Sequence, residues 1–294
     1  MLNYLIDFFE LSARIFIIKP FYYFQISRPV NLLISFLSVL AAGAISVQGE
    51  FPFYTAFYAA LAAAFVAAAG NIINDIYDIE IDKINRPERI LPQNKLTVKE
   101  ALTAYFAFNA AAIVLASFVN LYALAIVILS CGIVLAYSAY LKKIPLLGNL
   151  VVAFMTGLAF IYGAISVGDW KYGLIPAVFA FVINLIREII KDIEDIKGDK
   201  AQGIITFPQK YGINNAVYFA TGLSVFLIIL TTLPFILHLY RIEYFIIVMV
   251  AVNVALVSFI KDINEADVLP GLRRSSLKLK TAMIFGLIAI YMGK

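Results

Sequence analysis

Ten of the nineteen acidic residues fall into two short windows, Asp75, Asp78, Glu80, Asp82 and Glu88, and Glu188, Asp192, Glu194, Asp195 and Asp199. On a helix turning 100° per residue, Asn71, Asp75, Asp78 and Asp82 project at roughly 0°, 40°, 340° and 20°, with Asn74 at about 300°. Measured from Glu188, the residues Asp192, Asp195 and Asp199 repeat the same three angles. Glu80 and Glu194 project away from these stripes and are left out of the candidate site. Carboxylates stacked on one helix face repel one another and cost desolvation energy where a helix leaves a membrane, so something cationic must sit with them. Hard divalent ions take oxygen ligands, and Mg²⁺ is usually held by one or two carboxylates together with substrate phosphates and water. Asn74, Asp75, Asp78 and Asp82 near the first helix end and Asp192, Asp195 and Asp199 near the second are among the oxygen donors available to such an ion. Such a pair suits a metal-bridged diphosphate better than a bare ion. The plainer reading, a solvated charged loop balanced by Lys83, Arg86, Lys191 and Lys197, weakens because the spacing occurs twice.

The elements that carry these stripes follow from composition. Of the 294 residues 63% are hydrophobic and only 14% charged, where a soluble domain carries roughly 25% charge. An ordinary soluble protein and a disordered chain are both excluded. Apolar runs fall at 31–47, 51–73, 101–119, 121–141, 146–167, 172–190, 214–237, 244–260 and 277–292. The expectation is an all-α, polytopic membrane bundle of nine transmembrane helices forming one domain over 1–294. Thr97 and Glu100 form a capping-box pattern that opens the third span. Residues 1–28 read as an interfacial N-terminal helix with Leu2, Leu5, Phe8, Phe9 and Phe16 toward lipid, because Asp7, Glu10 and Arg14 interrupt the apolar stretch a signal peptide requires. With nine spans, 20 of the 23 Lys and Arg residues lie on the side of the N-terminus. The positive-inside rule then makes that side cytoplasmic in a multi-pass cell-membrane protein, with the active site at the cytoplasmic face.

Other chemistries drop out. The single cysteine, Cys131, lies in an apolar run, so neither an internal disulfide nor a thiolate metal site can form. The single histidine, His238, reads as an interfacial residue beside Tyr240 and Arg241. The basic balance follows topology and does not point to nucleic acid, and no obligate protein partner is implied.

With these residues in view, the chain resembles the UbiA superfamily of intramembrane prenyltransferases. Gly70-Asn71-Ile72-Ile73-Asn74-Asp75-Ile76-Tyr77-Asp78-Ile79-Glu80-Ile81-Asp82 looks like its first aspartate motif, Asn-Asp-x-x-Asp-x-x-x-Asp. Asp192-Ile193-Glu194-Asp195-Ile196-Lys197-Gly198-Asp199 looks like the second, Asp-x-x-Asp-x-x-x-Asp. The order of elements matches as well, with Arg28-Pro29-Val30-Asn31 before the first span, Tyr137 to Lys142 closing the fourth and Gly148-Asn149 opening the fifth. Within the superfamily, Arg187 to Asp195, Gly198-Asp199, Ile84-Asn85-Arg86-Pro87 and Thr206-Phe207-Pro208 are most similar to the branch that makes the second ether bond of archaeal-type lipids. The chain departs from the expected Pro-Leu-Pro-Ser-Gly at Ile90 to Asn94.

The resemblance implies Mg-dependent transfer of a polyprenyl group, of which geranylgeranyl is the expected one, from its diphosphate to a membrane-lipid acceptor, geranylgeranylglyceryl phosphate. Arg86 and Lys142 are expected to bind diphosphate oxygens. Tyr77 and Tyr137 are expected to shield an allylic cation. Arg28, Lys143, Arg187 and Lys191 are candidates for an acceptor phosphate, and Asn31, Asn71 and Asn149 complete the substrate-binding set. Small residues of the fifth helix, Gly157, Ala159 and Gly163, either leave room for the isoprenoid tail or serve helix packing. The alternative acceptor is an aromatic acid or a quinone or chlorin precursor. A secondary transporter is the distant alternative, disfavoured because its carboxylates belong near the bilayer midplane.

Overall fold

Long uncharged apolar stretches leave the backbone no partner but itself in a membrane, and the chain answers with helices. In the computed structural model, residues 19–196, 205–265 and 268–294 are described, and no strand occurs among them. Helix α1 covers 19–26, and most of the expected interfacial helix, 1–18, lies outside the described residues. Then come α2 (Pro29–Ser46), α3 (Phe53–Tyr77), α4 (Ile79–Asn85), α5 (Val98–Ser117), α6 (Leu121–Ala139), α7 (Leu147–Ser166) and α8 (Lys171–Glu194). After the short α9 (Phe207–Tyr211) follow α10 (Ile213–Ile236), α11 (Ile242–Ile263) and α12 (Val268–Met292). Eight of these, α2, α3, α5 to α8, α10 and α11, are long and apolar enough to cross a bilayer.

The helices group into two compact units, and the division falls within α2 and α3. The first takes the described part of Met1–Leu37 together with Phe57–Ala139. Its core joins Ile26, Ala69, Ile72, Ile73, Ala101 and Tyr105 with Ile90, Leu91 and Leu96 from the connection between α4 and α5. Lys19 pairs with Glu100, tying α1 to α5. The capping box is present: the Thr97 backbone N–H donates to Glu100 Oε2 at 2.9 Å, and the Glu100 N–H donates to Thr97 Oγ1 at 3.2 Å.

The second unit takes Ser38–Ala56 and Tyr140–Lys294. Its core runs along α8 through Ile183, Ile186, Ile189, Ile190 and Ile193 and is continued by Leu227, Tyr244, Leu256 and Phe259. Close helix approach needs small residues here. A Cβ on Gly163 would lie 2.5 Å from Ala42 Cβ and 2.6 Å from the Val39 carbonyl oxygen, and one on Gly157 would lie 2.9 Å from the Ala177 carbonyl oxygen. Of the two readings of these glycines, the contacts are those of packing. Lys294 donates to the carbonyl oxygens of Ala44 at 2.8 Å and Val47 at 3.3 Å, satisfying acceptors that the end of α2 leaves open.

Candidate active site

The first aspartate motif sits where α3 ends. Asn71, Asn74 and Asp75 lie on its last two turns, but the helix is interrupted at Asp78 (φ −99°, ψ 5°) before α4 carries Asp82. A single straight projection therefore does not extend across the motif. Asp82 is nevertheless drawn back to Asp75 by Arg89, which pairs with Asp82 and places Nη1 3.3 Å from Asp75 Oδ1. Arg28, whose backbone is left-handed (φ 57°), pairs with Asp75 from the other side. Asp75 and Asp82 are buried, and only 17% of the Arg89 side chain is exposed. Two arginines thus balance two buried carboxylates, the compensation that burial demands.

Around this quartet the asparagines hold geometry. Asn74 Nδ2 donates to Asp78 Oδ2 at 3.0 Å, setting an amide oxygen beside a half-buried carboxylate. Asn71 Nδ2 donates to the Ser27 carbonyl at 2.7 Å, and Asn31 Nδ2 reaches Asn71 Oδ1 at 3.4 Å. The turn that shapes Arg28 is thereby tied to α3. Tyr77 is half exposed, as a group open to a substrate must be.

Arg89 is absent from the residues expected from sequence, which name Arg86 as the donor to diphosphate oxygens. The structure leaves Arg86 exposed and turns Arg89 inward. The cause lies in the next two residues: Ile90 and Leu91 are buried in the first unit's core and pin the loop on that side.

The second motif occupies the end of α8. Asn149, buried at the start of α7, donates Nδ2 to Asp192 Oδ2 at 2.9 Å. Asp195 ends the helix and is exposed. Glu188, one turn before Asp192, lies 3.6 Å from Lys191 Nζ and 4.0 Å from Arg187 Nη2. Arg187 Nη1 also donates to Oδ1 of the buried Asn184 at 3.3 Å. Tyr137 is half-buried near the end of α6, and Lys142 half-buried in the single turn Leu141–Lys143. Asp199 lies outside the described residues.

Among the described residues no three carboxylate, histidine or cysteine side chains close into a ready-made metal cage. The donors present are nevertheless hard oxygens, with Asn74 and Asp78 adjacent in one unit and Asp192 and Asp195 on one helix end in the other. Either pair, taken within its own unit, fits Mg²⁺, which needs only one or two protein carboxylates when a substrate supplies phosphate oxygens.

Residues 35–275 match the UbiA prenyltransferase family, and the chain belongs to it. It is a multi-pass membrane prenyltransferase. It is similar to the digeranylgeranylglyceryl phosphate synthase of Methanosphaera stadtmanae, 34% identical over 272 residues that cover 92% of this chain and 98% of that one. A solved structure of digeranylgeranylglyceryl phosphate synthase in membranes superposes with a TM-score of 0.81 at 32% identity, covering 94% of this chain and 98% of the other. The fold is also that of a UbiA homologue from Archaeoglobus fulgidus bound to GPP and Mg²⁺, with a TM-score of 0.70 at 21% identity and coverage of 92% and 99%.

Proposed function

We propose that this prenyltransferase joins a geranylgeranyl group to the free hydroxyl of geranylgeranylglyceryl phosphate, making the second ether bond of an archaeal-type lipid. The observation that carries the reading is the likeness, along nearly the whole chain, to the synthase of Methanosphaera stadtmanae. In the reaction the bond between the allylic carbon and the diphosphate oxygen breaks, and that oxygen keeps the electron pair. The acceptor hydroxyl oxygen bonds the allylic carbon, and its proton leaves to water or to the released diphosphate.

Asn74, Asp75, Asp78 and Asp82 with Asp192, Asp195 and Asp199 supply the oxygen donors for Mg²⁺. When bound, that ion offsets the charge gathering on the leaving diphosphate. Arg86 and Lys142 donate to the diphosphate oxygens. Tyr77 and Tyr137 present ring faces to the allylic carbon and keep water from it. Asn31, Asn71 and Asn149 orient the groups they bond. Arg28, Arg187 and Lys191 bind the acceptor phosphate.

We further infer that α12 supplies the ninth span, that the N-terminus is cytoplasmic, that the chemistry takes place at the cytoplasmic face, and that both units work as one domain. Positive charge supports this orientation, because 20 of the 23 Lys and Arg residues fall on the N-terminal side of a nine-span topology.

The test is incubation of the purified protein with Mg²⁺, geranylgeranyl diphosphate and, separately, geranylgeranylglyceryl phosphate, 4-hydroxybenzoate and a naphthoate, with products identified by mass. A diether phosphate is the expected product. A prenylated aromatic ring in its place moves the enzyme to quinone-type acceptors, and no prenylated product from any acceptor overturns the reading.

A further inference from the structure

The chain enters α7 through an elbow of fixed conformations. Pro145 disfavours helical backbone in the residue before it, and Ile144 is extended, with φ −96° and ψ 117°. Leu146 then turns the chain at φ 68° and ψ −36°, a region that a bulky apolar residue rarely visits. Packing holds it there. The Leu146 side chain lies against the core of the second unit, and its carbonyl accepts the Leu150 N–H at 2.9 Å. The Gly148 N–H donates to the Ile144 carbonyl at 3.3 Å, closing the elbow. Strained backbone of this kind persists only where its surroundings over-determine it, and it concentrates at functional sites.

The elbow brings two parts of the site to one helical turn. Gly148 is buried against the backbone of the Leu141–Lys143 turn: a Cβ on it would lie 3.2 Å from Lys142 Cα and 3.5 Å from the carbonyl oxygens of Leu141 and Lys142. Backbone atoms cannot swing aside as the end of a side chain can. The next residue, Asn149, donates to Asp192 Oδ2 at 2.9 Å. One turn of α7 therefore sets its bare position against the backbone that carries Lys142 and its amide against an aspartate of the second motif. A lysine ammonium is a point charge on a flexible four-carbon stem, so where it can reach is decided by where its Cα is anchored.

We propose that Gly148 and Leu146 are positioning residues that aim Lys142 at the diphosphate held at Asp192, the missing side chain at 148 fixing how closely the lysine approaches. The inference rests on the prenyl-transfer reading above, in which Lys142 donates to diphosphate oxygens. A methyl group at 148 forces the Lys142 backbone away by a few tenths of an ångström, at the cost of the short, charge-assisted bonds its ammonium makes.

The experiment titrates the purified protein in the presence of Mg²⁺ with an unreactive donor analogue, geranylgeranyl S-thiolodiphosphate, and reads affinity by calorimetry. It compares the wild type, Gly148→Ala, Lys142→Ala and the double variant, with the melting temperature in detergent recorded for each. Gly148→Ala is expected to weaken binding by roughly ten- to a hundredfold, the range for losing a hydrogen bond to a charged group. The double variant is expected to bind no weaker than Lys142→Ala alone, since residues that act through one another are non-additive and independent ones add. A loss of equal size in the Lys142→Ala background, or unchanged binding by a folded Gly148→Ala, overturns the proposal. Leu146→Gly keeps the test decisive where Gly148→Ala fails to fold, because glycine accepts a positive φ without strain. It loosens the elbow instead of pushing on it, and the same cycle applies. A loss of affinity that vanishes in the Lys142→Ala background is expected; one that persists there, or no loss at all, overturns the proposal. If the wild type neither binds the analogue nor turns over a prenyl diphosphate, it is the prenyl-transfer reading that has failed, an outcome distinct from an additive cycle in a protein that binds the analogue.

Discussion

Arg89 holds Asp82 although the two residues flank the end of α4 and Asp82 is cut off from Asp75 by the helix interruption at Asp78. Because the same guanidinium also reaches Asp75, one side chain restores across the break the alignment that a straight helix would have given. Removing it leaves two buried carboxylates with Arg28 alone between them, and breaking a buried pair costs about 3–5 kcal/mol. Arg89→Ala is expected to lower the melting temperature in detergent and to cut turnover at least a hundredfold, with Arg89→Lys intermediate. A melting temperature and turnover equal to wild type in Arg89→Ala would show that the bridge does not position the motif.

The two motifs invite a comparison inside each window. Asp78 is half-buried and bonded to Asn74, and Asp195 closes α8, whereas 82% of the Glu80 side chain is exposed and it pairs with Lys83 at 2.7 Å. An exposed pair of this kind contributes about 1 kcal/mol or less. Asp78→Ala and Asp195→Ala are expected to abolish turnover without unfolding the protein, and Glu80→Ala to change it less than threefold. Equal losses in all three, measured by product formation per folded protein, would sink the separation of site from solvated surface.

Asn149 carries the second motif in the way Arg89 carries the first. Its amide fixes one oxygen of Asp192 at 2.9 Å, and a hydrogen bond to a charged group contributes about 1.5–3 kcal/mol. Asn149→Ala is expected to lower kcat/KM by roughly ten- to a hundredfold and to raise the Mg²⁺ concentration needed for half-maximal rate. If the Mg²⁺ requirement stays at the wild-type value, Asn149 acts on something other than Asp192.

Hard-oxygen donors also fix what chelation does. EDTA is expected to stop turnover and Mg²⁺ to restore it, while the helical circular dichroism stays constant, because the cores of both units are apolar and contain none of the proposed ligands. Full activity in a metal-free preparation would remove the metal-held diphosphate from the mechanism.

What the sequence made legible was whatever local rules decide. Apolar length foretold the spanning helices, and the Thr97–Glu100 pattern foretold a cap that is present bond for bond. The clustering of Asp75 with Asp82 was foreseen, but by the wrong geometry, since a helical projection cannot know that the chain will break at Asp78. The inward turn of Arg89 was hidden for a related reason. It depends on where Ile90 and Leu91 find burial, a tertiary fact that charge and spacing do not contain. The link between Asn149 and Asp192 joins residues 43 apart in sequence, so periodicity gave no sign of the bond itself.

Gly163 shows how tertiary contact decides between two readings that composition leaves open. If the glycines of α7 made room for an isoprenoid tail, a methyl group at 163 would meet substrate; instead it would meet Ala42 Cβ at 2.5 Å and the Val39 carbonyl at 2.6 Å. Backbone cannot step aside as a flexible side chain can, so overpacking of this kind costs about 1–3 kcal/mol. Gly163→Ala is therefore expected to lower the melting temperature by several degrees while the relative rates with C10, C15 and C20 donors keep their wild-type order. A changed donor order with unaltered stability would return Gly163 to the tail channel.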